Sequence, residues 1–184
     1  AMLILLGASA CAGRNAEVAD CANFVVSPSE FLMEFAGRPG TVTQEEHTFV
    51  CHATMFGRAQ MAFARMAQRQ AANPAVVKFA EQTLDEQATM NRHLFRIAEQ
   101  EDGIVPPRGL DAPHLAMRDQ LAQLSGDAFD RAYLQYTVQD GQAMIPVFNK
   151  ETSSGAEPAL NHFAANALPL IEQRVRSAQS IIGQ

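Results

Sequence analysis

One long amphipathic segment, from Asn73 to Glu101, constrains the fold of this 184-residue chain more than any other part of its sequence. Apolar residues recur through it at intervals of three and four, the spacing that lays a stripe along one face of an α-helix. Asn73 followed by Pro74 is a typical helix start. Because a helix of this length must bury its stripe, we expect the other long segments to be helices packed against it.

Three further segments have helical patterns, and no part of the sequence shows the alternation of a β-strand. They run from Thr43, which opens a capping box, to about Ala72, from Asp127 to about Thr152, and from about Glu157 to Ile182. A proline-rich crossing at 102–113 and a short helix at about 114–124 separate the second and third long helices. These patterns predict an all-α four-helix bundle over residues 43–184, preceded by an N-terminal extension, 1–42, with a short helix.

Charge and hydropathy exclude two classes of partner. The formal net charge is −6, and no linear cluster of basic residues suggests nucleic acid. No apolar run reaches the length of about 20 residues that a transmembrane helix needs. We therefore expect neither a nucleic-acid partner nor a membrane-spanning segment, and we leave self-association into a homo-oligomer open.

The opening residues, AMLILLGASACAG, are typical of the end of a secretory signal. Ala8-Ser9-Ala10 fits a cleavage site, and Cys11 directly after it also fits a bacterial lipoprotein processing site. The sequence thus predicts export to the cell envelope, in the periplasm or at the periplasmic face of the outer membrane, with Cys11 as a candidate lipid anchor. If Cys11 is lipidated, Cys21 and Cys51 can pair in an oxidising compartment; otherwise Cys11 can pair with Cys21, and Cys51 is a core residue.

Ligand spacing argues against a metal centre. A ferritin-like di-iron site needs Glu-x-x-His on two facing helices, and no glutamate has a histidine three residues later. The nearest equivalent, Asp111-x-x-His114, lies in the proline-rich crossing. No Ser-His-Asp or Cys-His arrangement has supporting context either. We therefore predict no metal, no cofactor and no catalytic residues.

A layer of polar residues is expected near the middle of the bundle, and it comprises Gln60, Gln87, Asn91, Asp140 and Arg174. One interpretation is a ligand pocket in which Arg174 binds a small anion and the amides orient it. The interpretation that we favour is a structural network in which Asp140 pairs with Arg174. Gly141, Pro146 and Pro169 keep the pocket open as an alternative, because bent helices and a missing side chain can leave a cavity.

Four phrases together resemble a bacterial family of unknown function whose members are described as predicted outer-membrane proteins with a ferritin-like bundle. They are FVCHATMFGRAQMAFARMA, NPAVVKFAEQTLDEQATMNRHL, FDRAYLQYTVQDGQ and EPALNHFAANALPLIEQRVRSAQ. The resemblance implies histidines where this chain has Gln87, Gly141 and Arg174, and a carboxylate where it has Gln60. These departures argue against the metal binding that such positions would support.

The sequence therefore predicts an exported, ferritin-like four-helix bundle that acts in the cell envelope through binding or interaction and not as an enzyme. The first alternative is a metal-dependent ferritin-like oxidoreductase or metal store. The second alternative is a binder of small anions or other small molecules that uses Asp140 and Arg174.

Overall fold

The computed structural model describes residues 42–100, 104 and 106–183. These residues form five helices and no strand, so the predicted all-α fold is confirmed for the described part of the chain. The helices are α1 (Gln44–Gln70), α2 (Pro74–Gln100), α3 (Ala112–Ala122), α4 (Gly126–Ser154) and α5 (Pro158–Ile182). Residues 1–41 of the expected N-terminal extension, with its short helix and Cys11, lie outside the described residues.

Helix ends follow the capping signals in the sequence. The Thr43 hydroxyl accepts a hydrogen bond from the Glu46 backbone N–H, and the Glu46 carboxylate accepts one from the Thr43 backbone N–H at 2.6 Å. This is the predicted capping box, and it satisfies donors that the first turn of α1 leaves unpaired. The short helix α3 begins two residues before its predicted start because the Asp111 side chain caps it, accepting from the His114 backbone N–H.

The four long helices close into a bundle in the order α1, α2, α5, α4. Short turns join α1 to α2 and α4 to α5, and the two hairpins pack through α1 against α4 and α2 against α5. The short helix α3 lies against α1 and α4. Phe49, Phe56 and Phe63, seven residues apart on α1, are all buried, which confirms the predicted stripe.

Two apolar clusters fill the bundle. The first contains Phe49, Phe148 and Phe163, whose rings meet edge to face or tilted, with the Phe49 and Phe148 centroids 5.1 Å apart. The second surrounds Phe63 and Tyr133. Gln87, Asp140 and Arg174 each fall between the stretches of their helices that contribute to the two clusters, whereas Gln60 and Asn91 lie beside the first residues of one cluster. The polar layer therefore lies where the two clusters meet.

Gly141 does not leave a cavity. A Cβ built there would lie 2.5 Å from Val175 Cγ2, so the absence of a side chain lets α4 and α5 approach closely instead. Helices α4 and α5 continue through Pro146 and Pro169, and both prolines are exposed. The space at Gly141 is therefore filled by a neighbouring side chain, and the cavity that the sequence left open as an alternative does not form at this residue.

Candidate functional site

The polar layer divides into two networks. In the first, Gln60 Nε2 donates to Asp140 Oδ2 at 2.8 Å, and His114 Nε2 lies 3.2 Å from Asp140 Oδ1. The other ring nitrogen of His114, Nδ1, lies 2.6 Å from Asp111 Oδ1. The imidazole is thus held between two carboxylates, and it connects the crossing and α3 to α1 and α4.

This arrangement favours the protonated form of His114. Burial opposes a charge on the ring, but Asp140 and then Asp111 outweigh burial and hold the pKa of His114 above its usual value. Both ring nitrogens are engaged, so the imidazole serves as a cross-link between segments. The spacing Asp111-x-x-His114, which the sequence analysis assigned to the crossing, is therefore structurally important as the start of α3.

The second network begins at Arg174, which is 5% exposed. Its Nη1 donates to Gln87 Oε1 at 2.9 Å, and its Nη2 donates to Glu86 Oε2 at 3.2 Å. Burial lowers the pKa of Arg174, and Glu86 opposes that effect. The expected pairing of Asp140 with Arg174 is corrected: Arg174 pairs with Glu86, whereas Asp140 pairs with His114.

The Arg174 network fixes the orientation of two buried amides. Because a guanidinium can only donate, Gln87 must present its oxygen to Arg174 and its NH₂ group to Asn91. Gln87 Nε2 accordingly donates to Asn91 Oδ1 at 3.0 Å. The NH₂ group of Asn91 then points to Met61 Sδ, 3.2 Å away, which is a weak acceptor. The NH₂ group of Asn91 can therefore still donate to a stronger acceptor.

Asn91 forms part of the wall of a cavity of about 480 Å³ between α1, α2 and the crossing. Four arginines surround this cavity, and among the described residues no acidic side chain lines it. We call it the arginine pocket, and it is lined by Arg58, Met61, Ala62 and Arg65 of α1, by Ala88, Asn91, Arg92 and Phe95 of α2, and by Arg108, Gly109 and Leu110 of the crossing.

Arg58 is the most enclosed of the four arginines. Its Nε is buried and has no hydrogen-bond partner within the described part of the chain. Its guanidinium carbon lies 5.4 Å from the centroid of the Phe95 ring, a cation–π contact. Burial lowers the pKa of Arg58. The guanidinium thus pays a desolvation cost that no carboxylate among residues 42–100, 104 and 106–183 offsets.

The other arginines of the pocket are also free of carboxylates. Across the described ranges, Arg65, Arg92 and Arg108 form no ion pair, and Arg92 donates only to the Thr89 hydroxyl at 3.0 Å. By contrast, Arg174 and Arg176 each lie next to a glutamate. Unpaired arginines gathered around one cavity produce a positive potential in a protein of net charge −6.

Of the five predicted residues of the polar layer, all of them described, only Asn91 lines the arginine pocket. Gln87 and Arg174 lie behind Asn91 and orient it, while Gln60 and Asp140 belong to the other network. Arg174 borders a separate cavity of about 30 Å³, which has room for about one water molecule. Sequence analysis missed the arginines because they are dispersed, although the seven-residue spacing of Arg58 and Arg65 indicates a shared helix face.

Within the described residues, no group of three or more His, Cys, Asp or Glu side chains is arranged to hold a metal ion. None of the described helices combines the length and the hydropathy needed to cross a bilayer.

Solved structures place this architecture among helical bundles of the ferritin-like type, as predicted. The crystal structure of a DUF305 fragment from Deinococcus radiodurans superposes with a TM-score of 0.70 at 16% identity, covering 78% of this chain and 98% of that one. CopM in the Cu(II)-bound form superposes with a TM-score of 0.63 at 16% identity, covering 73% and 93%. At these identities the likeness concerns the fold alone.

Sequence comparison then assigns the family. Residues 34–181 match the domain of unknown function DUF4142, and the protein therefore belongs to the DUF4142 family. No curated protein matches the sequence. The expected domain of unknown function is confirmed, whereas the description of such proteins as outer-membrane proteins stays a prediction.

Proposed function

We propose that the protein is a non-enzymatic binding protein of the bacterial cell envelope and that it binds a small organic anion in the arginine pocket. The observation that carries this proposal is the set of four arginines, unpaired with any carboxylate in the described chain, around a cavity of about 480 Å³. Cavities of this size are typical of sites for small molecules.

The lining of the pocket defines the chemical class of the ligand. Guanidinium groups present planar pairs of donors that match carboxylate and phosphate oxygens. Phe95, Met61 and Leu110 contribute apolar surface beside these donors. An anion with an apolar body, such as a phosphate monoester or an aromatic carboxylate, satisfies both parts of the lining. The NH₂ group of Asn91 supplies a further donor from the inner wall.

The alternatives have less support from the described residues. The Nη1 and Nη2 groups of Arg174 already donate to Gln87 and Glu86, so Arg174 offers less to an anion than Arg58 does. For a metal function, the described chain supplies no group of three suitable ligands. The Cu(II) of CopM belongs to a protein that is 16% identical, and we carry no copper function over from it.

The envelope location in this proposal depends on the leader-like opening and on Cys51. Cys51 is buried and disulfide-bonded, and its partner lies outside the described residues. Disulfides form and persist in oxidising compartments such as the bacterial periplasm, which supports export. Cell fractionation tests this part of the proposal, and recovery of the protein in the cytoplasm with all its thiols reduced would contradict it.

The binding proposal is tested by isothermal titration calorimetry with phenyl phosphate at low salt. Arg58→Gln removes the most enclosed charge and leaves a shorter, neutral polar side chain. We expect this change to weaken binding about 10- to 100-fold, the range for losing charge-assisted hydrogen bonds. Phenol and inorganic phosphate, which each carry half of the ligand's chemistry, should bind more weakly than phenyl phosphate.

Arg176→Gln is the matched control. Arg176 lies on α5, is exposed, pairs with Glu172 at 3.6 Å and does not line the pocket. Its replacement changes the net charge by the same amount as Arg58→Gln, so nonspecific electrostatics would affect both variants equally. Equal affinities in the two variants, or no binding of phenyl phosphate by the unmodified protein, would contradict the proposal.

A further inference from the structure

A second cavity, of about 420 Å³, lies where the start of α1 meets the end of α4. Its charged lining is mainly acidic, opposite in sign to the arginine pocket. We call it the acidic pocket, and its lining includes Glu45, Glu46, Phe49, His52, Val147, Lys150 and Glu151.

Glu151 is the unusual residue of the acidic pocket. It is 6% exposed, and its Oε1 is buried with no hydrogen-bond partner anywhere in the described chain. An unpaired buried carboxylate oxygen is costly, because burial removes hydration that nothing replaces. This oxygen lies against Gly155, where an added Cβ would be 2.3 Å from it.

The other acidic groups have structural tasks that Glu151 lacks. Glu46 accepts from the backbone and hydroxyl of Thr43 and from the Glu157 backbone N–H, so it joins the starts of α1 and α5. The carbonyl groups at the end of α4 are satisfied by Asn161 Nδ2, which donates to Glu151 O at 3.2 Å and to Thr152 O at 2.8 Å. Among the described residues, no such contact explains the carboxylate of Glu151.

We infer that the acidic pocket binds a small organic cation carrying a primary ammonium group, with Glu151 as the acceptor. An ammonium group has three donors, one of which can satisfy Glu151 Oε1. Phe49 and Val147 offer apolar surface for an alkyl stem. An organic cation fits this lining better than a metal ion, because no group of three metal ligands occurs among the described side chains.

Lys150 is a cation of the chain itself, and it competes with an external ammonium ion for the acidic groups of the pocket. Its Nζ lies 3.1 Å from Glu45 Oε2, and both side chains are exposed. A cation entering the pocket meets this ion pair at the mouth and the buried carboxylate of Glu151 inside. Removing the positive charge of Lys150 should therefore strengthen binding of an external ammonium ion.

Binding should release protons at neutral pH. Burial, then Glu46 and Glu45, raise the pKa of Glu151 to about 7, while Lys150 lowers it. His52 also lines the pocket from α1. An ammonium ion beside Glu151 favours the ionised carboxylate, so a proton leaves as the cation binds.

Calorimetric titration with n-butylammonium in two buffers of different ionisation enthalpy tests this inference. The unmodified protein should bind with a Kd on the order of 1 mM, as expected for so small a ligand, and the heat should differ between buffers because protons are released. Glu151→Gln should weaken binding at least about tenfold and abolish the buffer dependence, and Lys150→Gln should strengthen binding.

Tetramethylammonium, which has the charge but no N–H donor, and Ca²⁺ are the comparison ligands. Weaker binding of tetramethylammonium than of n-butylammonium supports the role of the ammonium donors. The inference is overturned if n-butylammonium does not bind, if Glu151→Gln binds it as tightly as the unmodified protein, or if only Ca²⁺ binds.

Discussion

Glu151 couples the stability of the fold to pH. Its pKa is raised to about 7 in the folded protein, mainly by burial, from an ordinary value of 4.5. Between these two values the folded state holds a proton that the unfolded state has lost, so stability falls as pH rises from about 4.5 to about 7. The loss is complete above that window, and Glu151→Gln removes it.

We therefore expect Glu151→Gln to match the unmodified protein near pH 4.5 and to be more stable by about 1–2 kcal/mol at pH 8. This value is roughly half of the free energy that corresponds to the full pKa shift of Glu151, because solvent screens part of the effect. Urea denaturation at the two pH values measures the difference.

Glu172→Gln, at an exposed ion pair with Arg176 on α5 and away from the acidic pocket, is the control and should change stability by less than about 0.5 kcal/mol. The raised pKa of His114 also removes stability as pH rises, but this effect is common to the compared proteins and cancels. A gain for Glu151→Gln that is equal at both pH values would show that ionisation is not its cause.

At the residue scale, the sequence was sufficient to locate the polar layer but not its pairing. Gln60, Gln87 and Arg174 are buried, as their helical spacing predicted. Which of them meet depends on the rotation of each helix and on His114, which enters from α3. A partner contributed by the crossing cannot be derived from the periodicity of the four long helices.

At the scale of elements, Gly57 is required where α1 passes the amide pair of α2. A Cβ at this position would lie 2.1 Å from Asn91 Oδ1 and 2.7 Å from Gln87 Nε2. Gly57→Ala should therefore destabilise the protein by about 1–3 kcal/mol through overpacking, less about 1 kcal/mol regained from helix propensity. It should also weaken phenyl phosphate binding, because Asn91 is displaced from the pocket wall.

Gly141→Ala provides a matched comparison. It introduces a clash of the same kind, with Val175 Cγ2 at 2.5 Å, but on helices α4 and α5, away from the arginine pocket. We expect lost stability with unchanged affinity for phenyl phosphate. If thermal denaturation and calorimetry show that both variants lose affinity equally, the amide pair has no specific role in the pocket.

Helix boundaries were largely predictable because capping chemistry is local. Thr43, Asn73 and Pro158 mark starts that the structure reproduces within a residue. The crossing was harder, because Asp111 acts both as the cap of α3 and as a partner of the His114 ring. The second role needs tertiary contacts that no local signal shows.

For the whole molecule, the fold was predictable and the site was not. Four amphipathic helices with two short turns have few ways to bury their stripes, so the bundle follows from the pattern. The arginine pocket instead brings together residues from α1, α2 and the crossing that are dispersed in sequence. The net charge of −6 gives no indication of the arginine pocket, because acidic and basic side chains concentrate in different cavities.

The central claim is that an organic anion binds at Arg58, and not at Arg174. The most direct test is NMR of the ¹⁵N-labelled protein, following the arginine Nε–Hε signals during titration with phenyl phosphate. We predict that the signal of Arg58 shifts progressively to saturation, while those of Arg174 and Arg176 stay in place. A shift confined to Arg174, or no shift in any arginine signal, would contradict the account.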